Sequence, residues 1–176
     1  MDDQRLPYMI IGGQAVLIHG RPRLTQDVDV TLGVDTDEFE RVLTGCRRLK
    51  LKPIPGDPEL FANEKKVLPA QDPGTKMRVD FVFSNTPYEQ QAIQRAVKVS
   101  VGGYPVRFAS AEDLIVHKLF AGRAIDLEDA KEVLLRQGKK LDGVYIRRCL
   151  RSLNDVSEGD KDLLSLWNRL RKEVKA

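Results

Sequence analysis

The sequence predicts an α+β protein in two parts, a strand-rich core over residues 1–110 and a helical subdomain over residues 111–176 that packs on it. Two segments of the first part, Asp27–Leu32 and Met77–Phe83, alternate apolar and polar side chains, which is typical of half-buried strands. Beyond residue 110 the apolar residues recur at the three- and four-residue spacing of amphipathic helices. Strands early and helices late predict the α+β class.

Composition limits the functional classes. The chain has 176 residues, of which 41% are hydrophobic and 31% charged, and its net charge is +3, as expected for an ordinary globular protein. No apolar run approaches the ~20 residues that span a bilayer, and the segment MDDQRLP is not a signal peptide. We therefore expect a cytoplasmic protein with no membrane partner. Cys46 and Cys149 match no zinc or CxxC spacing and are expected to be buried thiols.

The first elements surround a glycine pair. Tyr8–Ile11 is short and apolar and predicts a strand, whereas Gln14–His19 predicts a helix that Gly20 ends. Between them, Gly12 and Gly13 predict a turn in which the backbone can approach a ligand, because no Cβ is in the way. The first amides of the helix would favour an anion such as phosphate.

A basic loop leads from this helix into a strand with two acids. Successive side chains of a strand alternate faces, so Asp27 and Asp29 share one side of Asp27–Leu32. Two neighbouring carboxylates repel each other, and a divalent cation is the usual reason for such a pair. Arginine binds phosphate oxygens through its planar fork, so the loop residues are expected to contact nucleotide phosphates or, alternatively, to form a solvated surface. These loop residues are Arg21, Arg23 and Thr25.

The middle of the chain supplies a third acid. Thr36–Cys46 predicts a helix with Thr36 as its N-cap, and the Pro- and Gly-rich Lys50–Thr75 predicts irregular or edge-strand structure. Met77–Phe83 then predicts a strand with an apolar face, opposite which Asp80 points. If this strand shares a sheet with Asp27–Leu32 and buries the same face, Asp80 joins the first two acids.

The remaining elements follow from turn and cap signals. Gly102-Gly103 predicts a hairpin, and Ser110 predicts the cap of a helix with Asp113 as the capping-box acid. The predicted helices are Thr86–Ala96, Ala111–Ala121, Asp126–Gln137, Val144–Leu153 and Asp160–Glu173, and the predicted hairpin strands are Val97–Val101 and Tyr104–Phe108.

Three carboxylates on two strands suit Mg²⁺ or Mn²⁺, which prefer oxygen ligands. Two such ions ~3.5–4 Å apart can activate a hydroxyl and stabilise the leaving oxygen of an in-line displacement. Asp27 and Asp29 would hold metal, and Asp80 would hold metal or help to deprotonate the nucleophile. A calcium site is the alternative, but no loop has the ligand spacing of an EF-hand. His19 and His117 lack a serine or cysteine partner by motif, so packing or surface roles are expected for both.

These residues resemble the polymerase-beta-type nucleotidyltransferase superfamily, whose hallmark is Gly-Gly or Gly-Ser, a DxD pair and a later single acid. The segment Arg23–Asp29 (RLTQDVD) is similar to the AbiEii/MenT-type toxin nucleotidyltransferases, and so is Glu112–Ala130. The resemblance implies a mixed sheet with helices on one face, followed by a helical segment. It also implies catalytic or nucleotide-binding roles for three residues of the later segment, Lys118, Arg123 and Asp126. The alternative for Lys118 and Arg123 is a structural ion pair with Asp126 or Asp129.

The resemblance further implies a Mg²⁺-dependent transfer of a nucleoside monophosphate from an NTP, with release of pyrophosphate. Relatives act on RNA ends, proteins or small molecules, so the superfamily indicates the reaction and not the acceptor. We expect a bacterial toxin that modifies tRNA or protein and has a cognate antitoxin. Two alternatives are a non-catalytic module that binds nucleotide or RNA, and a transferase that inactivates an antibiotic.

Overall fold

The computed structural model describes residues 5–155 and 162–175. Within them lie seven strands: β1 (Tyr8–Ile11), β2 (Asp27–Leu32), β3 (Lys52–Pro53), β4 (Val67–Gln71), β5 (Arg78–Phe83), β6 (Val97–Val101) and β7 (Tyr104–Phe108). The same residues contain eight α-helices: α1 (Gly12–His19), α2 (Phe39–Arg48), α3 (Pro58–Lys65), α4 (Pro87–Arg95), α5 (Ala111–Ala121), α6 (Ala124–Gln137), α7 (Gly143–Asn154) and α8 (Leu163–Lys175). Two short 3₁₀ turns cover Thr36–Glu38 and Gly138–Lys140.

The chain forms two compact units. Unit 1 contains residues 5–14 and Leu24–Ala109, and unit 2 contains Ala15–Arg23 and the described residues from Ser110 onward. The predicted division at residue 110, with the helical part packed on the core, stays a prediction.

Unit 1 is built on one mixed sheet of order β3-β4-β5-β2-β1-β7-β6. The β2–β5 and β1–β7 pairs are parallel, and the other neighbours are antiparallel. The predicted α+β class and mixed sheet are therefore confirmed.

One face of the sheet carries the larger core of unit 1. Val30 and Phe81 lie there with Leu32 and Phe83, and they pack with Phe39, Val42 and Cys46 of α2 and Ala62 of α3. Met9 points to the opposite face, where it joins Ala92 and Ile93 of α4. Burying these apolar side chains determines which face each strand turns away from water, because side chains alternate along a strand.

Unit 2 is helical. Ser110 caps α5 as predicted, since its Oγ accepts a hydrogen bond from the Asp113 N–H at 3.1 Å and lies 2.6 Å from Asp113 Oδ2. The fully buried side chains of this unit include Leu114, Ile146 and Leu163, which belong to α5, α7 and α8. Among the described residues, no helix has the length and apolar character needed to cross a membrane.

Several predicted boundaries require correction. Helix α1 begins at Gly12, two residues earlier than predicted, so the glycine pair opens the helix. Thr36 is not the N-cap of the next helical segment, because the Asp35 side chain accepts the hydrogen bond from the Thr36 N–H at 2.7 Å.

The segment Lys50–Thr75 contains helix α3 as well as strands β3 and β4, although only irregular or edge-strand structure was predicted there. Asp57 caps α3 by accepting from the Leu60 N–H, and Pro58 occupies the first turn. This Asp-Pro pair was a usable signal for a helix start. At the C-terminus, α8 begins at Leu163, and Asp160, the predicted first residue of that helix, lies outside the described residues.

Candidate active site

The three predicted acids lie on one face of two neighbouring strands of unit 1. Strand β2 runs parallel to β5, with Asp29 opposite Asp80 and Asp27 opposite Arg78. The next residues along the strands, Val30 and Phe81, point the other way and are buried in the core. Burial of the apolar face therefore places all three carboxylates on the opposite face, and the register puts two of them side by side.

The glycine pair makes room for this acidic face. At Gly12, whose φ is +64°, a Cβ would lie 1.8 Å from Asp29 Oδ2, so any other residue there would force the Asp29 carboxylate to move. At Gly13 a Cβ would lie 2.5 Å from Thr25 Oγ1. The approach of a ligand to these glycines stays a prediction, and in this structure the groups that lie against them are a carboxylate and a hydroxyl of the same unit.

The first acid is held by two polar neighbours. Thr25 Oγ1 donates to Asp27 Oδ1 at 2.8 Å, and Gln14 Nε2 donates to the Asp27 backbone oxygen at 3.3 Å. Groups that bond a ligating carboxylate orient it and tune its affinity for metal. The sequence assigned Thr25 to nucleotide binding and gave no role to Gln14.

Arg78 lies among the acids. Its Nε donates to Asp80 Oδ1 at 2.7 Å, and its side chain is 51% exposed whereas that of Asp80 is 17% exposed. The hydrogen bond to Asp80 and the negative charges of Asp80, Asp27 and Asp29 raise the pKa of the Arg78 guanidinium. The sequence placed Arg78 and Asp80 on one face, but no role was assigned to the arginine.

The donor set fits a hard divalent cation in its chemistry. Asp27 and Asp29 supply carboxylate oxygens, and Mg²⁺ is commonly bound through one or two carboxylates completed by water and substrate phosphates. Within residues 5–155 and 162–175, however, no three or more histidine, cysteine, aspartate or glutamate side chains converge as they would around a metal ion. Asp80 instead bonds Arg78. The expected metal-binding roles of Asp27, Asp29 and Asp80 therefore stay predictions.

Unit 2 contains a network in which three cations surround two buried acids. Lys118 Nζ lies 2.8 Å from Asp126 Oδ1 and 2.8 Å from Asp129 Oδ2. Arg123 Nε donates a hydrogen bond to Asp126 Oδ2 at 2.6 Å. Arg23 donates two hydrogen bonds to Asp129, from Nε at 2.8 Å and from Nη2 at 2.9 Å. The exposed fractions of Lys118, Asp126 and Asp129 are only 5%, 1% and 3%.

This network lowers the pKa of both its acids. Burial acts to raise the pKa of Asp126, but hydrogen bonds from Arg123 and Lys118 outweigh it. For Asp129 the same effect of burial is outweighed by Arg23 and Lys118. The ion pairs of Lys118 and Arg123 with these acids, the predicted alternative to nucleotide contact, are therefore present. The expected catalytic and nucleotide-binding roles of Lys118, Arg123, Asp126 and Arg23 stay predictions.

The other predicted residues of unit 2 are placed as follows. Arg21 lines an open groove of about 480 Å³ with Glu132 and Arg136, and Arg136 Nη1 donates to the Gly20 oxygen at 2.5 Å. His117 is partly exposed, but its Nε2 atom is buried, and desolvation lowers its pKa to about 4, so the imidazole is neutral at pH 7. His19 is buried. Both histidines thus occupy packed positions, as expected.

Comparison with known proteins relates this geometry to one enzyme class. The model of a family described as nucleotidyltransferase of unknown function (DUF6036) matches residues 1–162. A search of curated proteins finds no match.

Similar solved structures include the antibiotic-resistance factor ANT(2'')-Ia. In complex with adenylyl-2''-tobramycin it shares 16% identity with this chain at a TM-score of 0.56, covering 87% of this chain and 91% of its own. The lincosamide antibiotic adenylyltransferase LnuA, bound to lincomycin, shares 13% identity at a TM-score of 0.51, covering 75% of this chain and 88% of its own. An antigenic nucleotidyltransferase-like protein from Paracoccidioides brasiliensis shares 19% identity at a TM-score of 0.50, covering 86% of this chain and 81% of its own. At these identities the comparisons establish the fold.

Proposed function

Because the chain belongs to the DUF6036 nucleotidyltransferase family, a class of enzymes that use NTPs and release pyrophosphate, we propose that its reaction takes place on the carboxylate face of unit 1. The reaction would be Mg²⁺- or Mn²⁺-dependent transfer of a nucleoside monophosphate from an NTP to an acceptor hydroxyl. The observation that carries this proposal is the β2–β5 register, which aligns Asp29 with Asp80 two residues beyond Asp27.

Each acid has a distinct task in this proposal. Asp27 and Asp29 would hold the metal ion, which when bound neutralises phosphate charge and stabilises the leaving pyrophosphate. Asp80 would hold a second ion or accept the proton of the attacking hydroxyl. The protein contributes orientation: Thr25 fixes the Asp27 carboxylate, and Gly12 lets the backbone at the start of α1 lie against Asp29.

Nucleotide contacts are proposed for the glycine pair and for the basic residues that the resemblance implied. Gly12 and Gly13 open α1, and the amides at a helix start favour phosphate. Arg21, Arg23, Lys118 and Arg123 would neutralise the triphosphate. For Lys118, the two buried carboxylates that it bridges also support a role in holding the helices of unit 2 together.

For the acceptor we propose RNA, with tRNA as the first candidate and a protein as the alternative, in the setting of a toxin with a cognate antitoxin. The AbiEii/MenT-like motif supports the setting. A groove of about 410 Å³ in unit 2 supports the acceptor, because Lys139, Arg147 and Arg171 line it and its described lining residues include no acid. Clustered cations bind the nucleic-acid backbone through its phosphates.

A small molecule is the second candidate acceptor. A groove of about 500 Å³ in unit 1 is lined by Arg78 and by apolar side chains that include Ile54, Leu60 and Phe61. Its volume falls in the range of small-ligand pockets. The structures of ANT(2'')-Ia with an adenylylated tobramycin and of LnuA with lincomycin make aminoglycosides and lincosamides the first compounds to try.

The deciding experiment offers each α-³²P-labelled NTP with Mg²⁺ to total tRNA, cell lysate and a panel of antibiotics. The wild type is run beside Asp27→Asn/Asp29→Asn and beside Asp37→Asn, an exposed acid of unit 1. Label that disappears only in the double variant would establish transfer and identify the acceptor class. Binding of Mg-NTP without labelling of any acceptor would indicate a non-catalytic nucleotide-binding module instead. No binding of Mg-NTP would contradict the proposed site.

A further inference from the structure

Arg78 lies on the carboxylate face, opposite Asp27 and hydrogen-bonded to Asp80, where the proposed function places divalent metal ions. On the basis of the proposed function, we propose that Arg78 is a displaceable counter-cation of the carboxylate face: it holds Asp80 before the reaction, and Asp80 binds a second divalent cation only after the Arg78 side chain has moved away.

The charge balance of the face supports this role. Asp27, Asp29 and Asp80 place three negative charges on two adjacent strands, which repel unless a cation is near. Arg78 lies directly opposite Asp27 in the register and bonds Asp80 two residues along its own strand. Arg78 therefore supplies a positive charge beside two of the three acids.

The contact with Asp80 is one that a metal ion can replace. The contact is a hydrogen bond from Nε to Oδ1, and half of the Arg78 side chain is exposed to solvent. Exposed ion pairs contribute little net stability, because water competes for both charges. A guanidinium and a divalent cation compete for the same carboxylate oxygens.

The structure also provides a place for the displaced side chain. Arg78 lines the 500 Å³ groove of unit 1, whose other lining residues include Asp57 and Glu64 of the α3 region. The side chain can therefore turn into open space in which two other carboxylates lie, without a clash in the core. The same movement would open the Asp80 side of the face to the acceptor hydroxyl.

The test measures metal binding without turnover. Mn²⁺ binding in the absence of NTP is followed by electron paramagnetic resonance and isothermal titration calorimetry for the wild type and four variants. Arg78→Gln removes the charge, Arg78→Lys keeps it without the planar fork, and Arg78→Gln/Asp80→Asn removes the competing ligand as well. Arg41→Gln is the matched control, because Arg41 forms a 2.8 Å pair with Glu38, is 42% exposed and lies in the same unit.

We expect Arg78→Gln to bind Mn²⁺ at least about tenfold more tightly than the wild type or to bind one additional ion, because one positive charge has left the face. The Mn²⁺ affinity of Arg78→Lys should stay near that of the wild type, and Arg41→Gln should not change it. In the double variant Arg78→Gln/Asp80→Asn, the gain in affinity should be lost. Circular dichroism melts show whether each variant is folded. If Arg78→Gln is not folded, Arg78→Met, which also removes the charge and keeps the aliphatic stem, takes its place and should bind Mn²⁺ more tightly to the same extent.

Two results would overturn the inference, and they differ in what else they affect. If the wild type binds Mn²⁺ and Asp27→Asn/Asp29→Asn, measured in the same way, does not, but Arg78→Gln binds it no more tightly than the wild type, Arg78 is not a competitor and the proposed function is unaffected. If no folded variant binds Mn²⁺ at all, with or without a non-hydrolysable NTP, the metal site of the proposed function is wrong and the role of Arg78 falls with it.

Discussion

Replacing Lys118 by methionine tests whether this lysine stabilises the fold or acts in the chemistry. Methionine keeps the aliphatic stem and removes the ammonium that bridges Asp126 and Asp129, both of which are almost completely buried. Removing one partner of a buried ion pair costs about 3–5 kcal/mol, because a charge is left without compensation. Arg123 and Arg23 still bond one acid each, so we expect a loss of about 3 kcal/mol, at the lower end of this range.

The assay is urea unfolding at pH 7, followed by circular dichroism, with Lys131→Met as the control. Lys131 Nζ lies 3.8 Å from Glu173 with 35% of its side chain exposed, and such a pair contributes about 1 kcal/mol or less. A structural role predicts that Lys118→Met is much less stable than Lys131→Met and that transfer activity falls only as the folded fraction falls. If the two variants are equally stable while Lys118→Met alone loses transfer, the structural reasoning is refuted and Lys118 acts on the nucleotide.

Three further predictions concern single side chains. Gly12→Ala should lower the melting temperature and reduce the Mn²⁺ affinity at least about tenfold, because its Cβ would displace the Asp29 carboxylate. Gly56→Ala is the control: Gly56 has open space around it, so neither quantity should change in the same assays. Thr25→Val keeps the shape of the side chain but loses the hydrogen bond to Asp27. Calorimetry should therefore show about tenfold weaker Mn²⁺ binding at unchanged stability. An unchanged affinity would exclude the role of Thr25 in orienting Asp27. Desolvation lowers the pKa of His117 in the folded protein to about 4, below its ordinary value of 6.5. Its contribution to the free energy of unfolding should therefore be constant above pH 6.5 and fall by about 3 kcal/mol as the pH drops to 4. Urea titrations of His117→Leu should lack this slope.

Local patterns predicted most elements of this protein. Strands β1, β2, β6 and β7 have the predicted bounds, and helix α5 begins at Ala111 behind its Ser110 cap as predicted. These elements carry strong local signals, namely side-chain alternation, a glycine turn and a serine cap. Helix α3 was missed because the Pro- and Gly-rich composition of its surroundings received more weight than the Asp57-Pro58 start signal.

The sequence predicted which residues make up the candidate site better than it predicted which of them contact each other. Alternation along β2 and β5 placed the three acids on polar faces, and the motif identified the glycine pair. Arg23 was expected to contact phosphate, yet its partner Asp129 lies 106 residues away in the sequence. Pairs this distant leave no local signal, because they form only when separate helices pack together.

The chemistry of this protein is therefore encoded locally. Residue types and their alternation establish the secondary structure, the acidic face and the nucleotidyltransferase motif, because the physical preferences behind them act over a few neighbouring residues. The contacts that control the site arise from the fold. The β2–β5 register aligns Asp29 with Asp80 and brings Arg78 among the acids, and the packing of α5 against α6 buries Lys118 between two carboxylates. Strand register and helix packing depend on burying apolar surface from the whole unit at once, and no short stretch of sequence contains that information.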